Sequence, residues 1–495
     1  MGEIKKQGIN NTIISYTGIG IGFVYTLILL PVFLTPEEVG LTRVLFSIST
    51  IFGVIFPFGL GSFTIKYFPQ FRNEKNGHHG YLRLIILIGI LSYLVFALLV
   101  YACKPYLLSK YNNAPLLVEY FSFVFPISLC IGFVSILGVY CISLFRSSVP
   151  AFLNEVYFRV ANIVAITIYY FKWIDFDTFV IVYTLCFVSQ LAFLFFYVTR
   201  IDKGIMHPID RAHLKGLDMR EMWSYVLLIA PASIASMALR QIDVTMLGSD
   251  LNKNFPLTDV AIYSIGFTIG SIIEAPFNAL SKITDSKVSD AFHRNDMKLV
   301  TDVYYKSTRI LMIIGGFLFL GVVVNIHSFL SFLPAKYEGS YQVVLIVAVS
   351  SFFNMATGIN SSLIYYSDRY RHGSFLLFIL IGVSILLNYI LIPIYGIEGA
   401  AIATGSALLL FNLVKWALLW MRFKMQPYRA YALIVPVLIA VSLTADHYLP
   451  DMDNKYVDIV CRSSVVILIY GAGIIFLKLF PEANAFIRKY TGFNL

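Results

Sequence analysis

Apolar runs of about 18–25 residues recur along the chain, separated by short polar breaks. They lie near residues 12–34, 43–64, 81–103, 117–142, 153–171, 178–198, 224–248, 259–281, 308–331, 341–366, 374–395, 399–421, 430–448 and 463–480. Each is long enough for a helix to cross a hydrocarbon core, and none shows the alternation of an outer-membrane barrel strand. The pattern predicts an all-α polytopic membrane protein with about fourteen transmembrane helices.

Composition agrees with that pattern. Hydrophobic residues make up 58% of the 495 positions and charged residues 13%, against roughly 45–50% and about 25% in soluble domains. So few charges cannot cover a water-exposed surface of this size, which excludes a soluble enzyme or nucleic-acid binder. The Lys5 and Lys6 segment leads into an apolar run too long for a cleavable signal and then into another span, so no signal peptide is expected.

The net charge of +9 becomes informative once it is placed. With the N-terminus inside, the inner connections hold 28 Lys and Arg and the outer ones 8, with Arg240 inside a span. That asymmetry predicts cytoplasmic N- and C-termini in a cell (inner) membrane. The excess sets orientation and needs no acidic partner. Trp173, Trp223, Trp416 and Trp420 sit near expected span ends, as interfacial anchors do.

The long connections, near 65–80, 199–223 and 282–307, all fall on the cytoplasmic side. The first and third follow spans six helices apart, and Phe71-Arg72-Asn73-Glu74-Lys75 is echoed by Phe292-His293-Arg294-Asn295-Asp296. Leu34-Thr35-Pro36-Glu37-Glu38-Val39-Gly40 is similarly echoed by Leu257-Thr258-Asp259-Val260-Ala261. These pairs predict two six-helix lobes, 1–200 and 224–425, joined by a cytoplasmic linker at 201–223. A central cavity is expected between the lobes. Residues 426–495 add two helices and a cytoplasmic tail.

Ionisable groups at membrane depth are costly, roughly 2.5–3.5 kcal/mol each on insertion scales, and so mark candidate sites. Arg240 and Asp243, three apart on the seventh span, share a helix face: they form either a self-neutralising pair or a cation aimed into a cavity. Glu274 lies mid-span and precedes Pro276, which frees a backbone carbonyl; binding a proton or cation, or pairing with Arg240, are its expected roles. Asn10, Asn11, Gln241, Asn278, Asn354 and Asn360 read mainly as helix–helix hydrogen-bonding groups, and Glu155 with Arg159 as a local i,i+4 pair. His327 reads as interfacial.

Gly18, Gly20 and Gly22 form a GxGxG inside the first span, where close helix packing or a bend fits better than a dinucleotide site. The five cysteines have no CxxC spacing and read as packing residues. No P-loop lysine motif, HExxH or GxSxG is present, so enzyme chemistry has no candidate centre and no cofactor is expected.

Tyr395-Gly396-Ile397-Glu398-Gly399-Ala400-Ala401-Ile402-Ala403-Thr404, Ile242-Asp243-Val244-Thr245-Met246-Leu247-Gly248, and Phe58-Gly59-Leu60-Gly61 ahead of Tyr67-Phe68-Pro69 carry a family likeness. The chain resembles the polysaccharide transporter branch of the multidrug/oligosaccharidyl-lipid/polysaccharide (MOP) flippase superfamily, in particular its O-antigen and capsule repeat-unit flippases. It departs from them at Val244, where the family motif often has a basic residue. The resemblance implies movement of a polyprenyl-pyrophosphate-linked oligosaccharide to the outer leaflet by alternating access. Arg240 foremost, then Arg43, Lys66 and Arg159, are the residues expected to bind that substrate; Glu274 or Asp243 would couple transport to protons or sodium. The lipid bilayer and polysaccharide-assembly proteins are the implied partners. A cation-coupled multidrug antiporter and a peptidoglycan-precursor flippase of the same superfamily remain alternatives, as does a membrane glycan polymerase or ligase, which would normally need a larger outer loop.

Overall fold

A computed structural model describes residues 2–202, 207–210, 218–367, 370–450 and 452–481. Part of the expected linker (203–206 and 211–217), Arg369 and the tail 482–495 lie outside the described residues, as do the side chains of Lys5, Lys6, Lys282 and Arg371. The protein is all-α. Among the described residues there is no strand, and eleven helices are long and apolar enough to cross a membrane.

The helices used below are α1 (Gly2–Phe23), α2 (Pro36–Ile55), α3 (Leu60–Phe71), α4 (Tyr81–Leu108), α5 (Val124–Ser143), α6 (Phe158–Tyr170), α7 (Phe176–Ile201), α8 (Met219–Leu239), α9 (Ile242–Leu247), α10 (Pro256–Ser271), α11 (Ala275–His293), α12 (Met297–Val324), α13 (Tyr341–Ala356), α14 (Asn360–Tyr366), α15 (Tyr370–Phe423), α16 (Tyr431–His447) and α17 (Lys455–Val466). The chain divides into two compact units, Met1–Ala261 and Ile262–Leu495.

Local sequence explains where the helices begin and break. Thr35 caps α2 in a reciprocal box: its hydroxyl accepts from the Glu38 amide at 3.4 Å, and the Glu38 carboxylate accepts from the Thr35 amide at 2.7 Å. Asp175, Asp218 and Asp296 cap α7, α8 and α12 with carboxylates that accept first-turn backbone amides. Gly59, at φ 77°, separates α2 from α3, and Gly396, at φ 56° and ψ −125°, breaks α15 between the runs expected at 374–395 and 399–421.

The second and tenth runs are each broken, at Gly59 and Gly358, and three further expectations change. The connection near 282–307 is helical on both sides of a turn at Arg294–Asp296, because α11 and α12 carry their polar faces beyond the apolar stretch. The pairs Arg294–Asp290 at 3.0 Å and Lys306–Asp302 at 2.8 Å lie along those extensions. The seventh run is not one helix: it turns at Arg240–Gln241 between α8 and α9. The Gln241 carbonyl, which accepts from the Thr245 amide at 3.1 Å to start α9, also accepts from the Ser47 hydroxyl at 2.7 Å and the Thr245 hydroxyl at 2.9 Å. The eighth run is likewise interrupted, by a 3₁₀ turn at Ile272–Glu274 just ahead of Pro276.

Within the first unit, an aromatic core of Phe68, Phe71, Tyr81 and Tyr140 joins α3, α4 and α5. Its hydroxyls are satisfied: Tyr81 donates to Thr64 at 3.0 Å and Tyr140 to the Asp202 carboxylate. Just before α4 the backbone runs through four left-handed residues, Gly77, His78, His79 and Gly80. The segment 207–210 is fastened to this turn: the Asp210 amide donates to the His79 carbonyl at 3.2 Å, and the Asp210 carboxylate meets His79 Nδ1 at 3.0 Å.

In the second unit, α12 packs against α11, α13 and α16. The C-terminal pair α16 and α17 is tied by Arg462, which bonds Asp446 at 2.8 Å and Asp458 at 2.9 Å. Asp458 also accepts from the Ser328 hydroxyl at 2.6 Å.

Candidate functional site

The first unit encloses a cavity of about 510 Å³. Its walls come from the continuation of α1 (Tyr25, Thr26, Leu30), from α2 (Thr42, Arg43, Phe46, Thr50), and from α5, α6, α7 and α8. Two of the contributing segments are π turns, Val24–Leu29 after α1 and Leu153–Tyr157 before α6. A π turn inserts one extra residue into a helix and re-aims its neighbours, and such turns concentrate at functional sites. Here they carry Tyr25, Thr26 and Asn154 into the wall.

Two of the four cations expected at a substrate site line this cavity. Arg43 Nη2 donates to the Thr26 hydroxyl at 3.3 Å, while its Nε is buried with no hydrogen-bond partner. Arg159 on α6 also lines it, its Nη1 2.6 Å from the Glu155 carboxylate and also bonded to the Glu155 carbonyl. The local ion pair expected from the i,i+4 spacing is therefore formed, and it coexists with a place in the cavity wall.

Neutral polar groups complete the lining. Gln190 donates to Asn154 Oδ1 at 2.7 Å, the Asn162 amide nitrogen donates to the Phe158 carbonyl at 2.7 Å, and Asn162 Oδ1 is buried without a partner. Tyr183 donates to the Thr42 carbonyl at 3.5 Å, and the Phe158 and Phe187 rings, 4.5 Å apart, supply an apolar wall. Among the described residues, no Asp or Glu lines the cavity. An unpaired buried donor and an unpaired buried acceptor each cost on the order of 1–3 kcal/mol, and a polar guest would relieve both.

The remaining expected site residues lie elsewhere. Lys66 on α3 pairs with Glu221 at 3.4 Å and stands 4.0 Å above the Tyr225 ring, outside the cavity lining. Arg240 is exposed at the end of α8, while Met237, three residues before it, is the α8 residue that reaches the cavity. Asp243 is buried on α9, beyond the Arg240–Gln241 turn, so the two do not share one continuous helix. Glu274, in the second unit, is half-buried at the end of its 3₁₀ turn.

Asn154, Asn162, Gln190, Tyr25 and Tyr183 are the site residues that sequence reasoning missed. The carboxamides carried a usable signal, since all three lie in or at the edge of expected spans. The tyrosines carried none, because π turns have no compositional signature.

No protein-family profile matches the chain, and no curated protein matches it. Solved structures do. The lipid II flippase MurJ in an inward closed conformation superposes with a TM-score of 0.73 at 15% identity, covering 95% of this chain and 99% of that one. An inward-facing multidrug resistance MATE family transporter of the MOP superfamily gives a TM-score of 0.61 at 14% identity over 83% of this chain and 94% of its own. A MOP superfamily transporter from Pyrococcus furiosus gives 0.54 at 15% identity over 85% and 96%. The chain has the fold shared by these MOP-superfamily flippases and transporters.

Proposed function

We propose that this protein is a flippase that moves a polyprenyl-pyrophosphate-linked oligosaccharide from the cytoplasmic to the outer leaflet of the cell (inner) membrane, with both termini in the cytoplasm. The observation that carries this reading is the lining of the cavity: two guanidinium groups, three carboxamides and several hydroxyls, with no carboxylate among the described lining residues. Guanidinium groups recognise phosphate oxygens through paired, charge-assisted hydrogen bonds, and carboxamides match sugar hydroxyls. Each sugar hydroxyl stripped of water without a partner costs roughly 1–3 kcal/mol, so a polar cavity open in turn to each side lowers the barrier while the lipid tail stays in the bilayer.

Arg43 and Arg159 hold the substrate in this reading, with Arg240 and Lys66 acting outside the cavity. An inside-negative potential favours outward passage of an anion by roughly 2.3 kcal/mol per charge per 100 mV. Glu274 or Asp243 would supply any proton or sodium coupling, and polysaccharide-assembly proteins would receive the product.

The test is transport in proteoliposomes loaded with a fluorescent polyprenyl-pyrophosphate oligosaccharide on one leaflet. Wild-type protein should carry it across, and Arg43→Ala should not. The fold shared with MATE proteins and the Glu155 carboxylate beside the cavity support a second reading, a cation-coupled multidrug antiporter. Export of a cationic dye, unaffected by Arg43→Ala and lost in Glu155→Gln, would favour it.

A further inference from the structure

The second unit buries a lysine that the proposed transport step does not use. Lys415, near the C-terminal end of α15, is 5% exposed. Its ammonium donates to the Ser361 hydroxyl of α14 at 2.8 Å and sits 4.2 Å from the centre of the Phe411 ring. From Ser361 the hydrogen bonds run on in one direction. Ser361 donates to Asn360 Oδ1 at 3.5 Å, Asn360 to Asn412 Oδ1 at 3.2 Å, and Asn412 to Asn354 Oδ1 at 3.0 Å. Every donor in this chain points away from Lys415, so every oxygen end faces back toward the positive charge.

α15 packs mainly on α13 and α14, and the Phe292 ring of α11 lies 6.4 Å from that of Phe423. The titratable side chains of α13 and α14 are Tyr341, Tyr365 and Tyr366, with no acid, while α11, which packs on α14, carries Asp285 and Asp290. Among the described residues no carboxylate stands within ion-pair distance of Lys415, and the next cation along its own helix, Arg422, is exposed. Among the described residues the ammonium is met by a hydroxyl and a ring face, with no counter-ion. The Gly358 break between α13 and α14 places Asn354 and Asn360 on either side of a backbone turn, at φ 68°, so the network spans a joint and not a rigid rod.

We infer that Lys415, with Ser361 and the three asparagines, is a proton-exchange site in the second unit. The step is an ionisation: one Nζ–H bond breaks, its electron pair stays on nitrogen, and the proton passes to water; the reverse restores the ammonium and the aligned network. Joined to the transport reading, on which this part rests, the site would couple substrate movement to a proton gradient.

The experiment is a proton-binding titration of the purified full chain in nanodiscs of phosphatidylethanolamine and phosphatidylglycerol, without substrate, followed with a pH-indicator dye. The wild type is expected to release about one more proton per chain over the titrated range than Lys415→Gln. Lys415→Arg, a permanent cation, should lose that step too. Ser361→Ala removes the oxygen that accepts from the ammonium and should move the step to lower pH with the fold intact by circular dichroism. Identical titrations for wild type, Lys415→Gln and Ser361→Ala would overturn the inference. In proteoliposomes, Lys415→Arg should abolish the response of oligosaccharide transport to an imposed pH gradient. A chain that shows the proton step but carries no oligosaccharide refutes the transport reading and leaves the proton site standing.

Discussion

The Arg159 side chain lies across α1 where Gly22 has no side chain: a β-carbon at Gly22 would stand 2.8 Å from Arg159 Nε. Gly18, one turn earlier, is filled equally closely, its β-carbon position 2.7 Å from Arg159 Nη1 and 2.8 Å from the Glu155 carbonyl oxygen. The outer two glycines of the GxGxG therefore make a groove that seats this arginine, whereas Gly20 faces open space with nothing within 4 Å. Gly22→Ala should displace Arg159 and lower transport severalfold, at a stability cost of about 1–3 kcal/mol from overpacking. Gly20→Ala should do neither. Thermal unfolding of the pair, alongside oligosaccharide transport, checks the contrast; equal behaviour would show that the groove does not position the arginine.

Removing the other guanidinium should weaken substrate binding more directly. A hydrogen bond to a charged group contributes about 1.5–3 kcal/mol, so Arg43→Ala is expected to raise KM by roughly 10–150-fold. Arg43→Lys should recover only part of this, because a lysine keeps the charge and loses the planar fork. Concentration series for both variants in the same vesicles measure the difference.

Much of the fold was legible in the sequence because a membrane constrains it so heavily: apolar runs must be helices, and breaks show as Gly, Pro or charge. Gly396 interrupts α15 between two of the runs so expected. The break at Arg240–Gln241 was hidden because it occurs within an apolar run and is stabilised by Ser47, a residue far away in sequence whose hydroxyl receives no local signal. The site was half legible for the same reason. Arg43 and Arg159 stand out as charges near spans, but the polar groups around them include Tyr25, Thr26 and Asn154 on two π turns, which leave no trace in composition. Lys66 and Arg240 look alike in sequence and lie outside that lining.

Glu155 partly neutralises Arg159 across 2.6 Å, and this pairing competes with a phosphate for the guanidinium. Glu155→Gln should therefore lower KM for the lipid-linked substrate and slow its release, giving a smaller turnover number. Steady-state transport separates the two effects; a raised KM would mean that the carboxylate helps hold the substrate.

Arg462 holds two carboxylates together in a largely buried setting, its side chain 11% exposed. Arg462→Ala leaves Asp446 and Asp458 facing each other without a cation and should cost on the order of 3–5 kcal/mol. The double replacement Asp446→Asn with Asp458→Asn in the Arg462→Ala background should restore much of that stability. Thermal denaturation in detergent reads both.

Gly396 stands at φ 56° with nothing within 4 Å of its β-carbon position, so any cost of a side chain there is purely conformational. Gly396→Ala should lose about 1–3 kcal/mol. Gly382→Ala, with equally open space in a helical turn of α15, should be neutral or stabilise by about 0.5–1 kcal/mol. The melting temperature should fall for Gly396→Ala and hold or rise for Gly382→Ala.

The fastening of Asp210 to the left-handed turn at His79 sets a mechanical limit on α8. Measured from Ile201, the chain to Asp218 could stretch about 60 Å, but measured from Asp210 it reaches only about 28 Å. The helix that brings Met237 to the cavity wall is thus on a short leash, held at the His79 turn through both the amide and the carboxylate of Asp210. Releasing the 207–210 segment from that turn would roughly double the reach of the chain that leads to this wall.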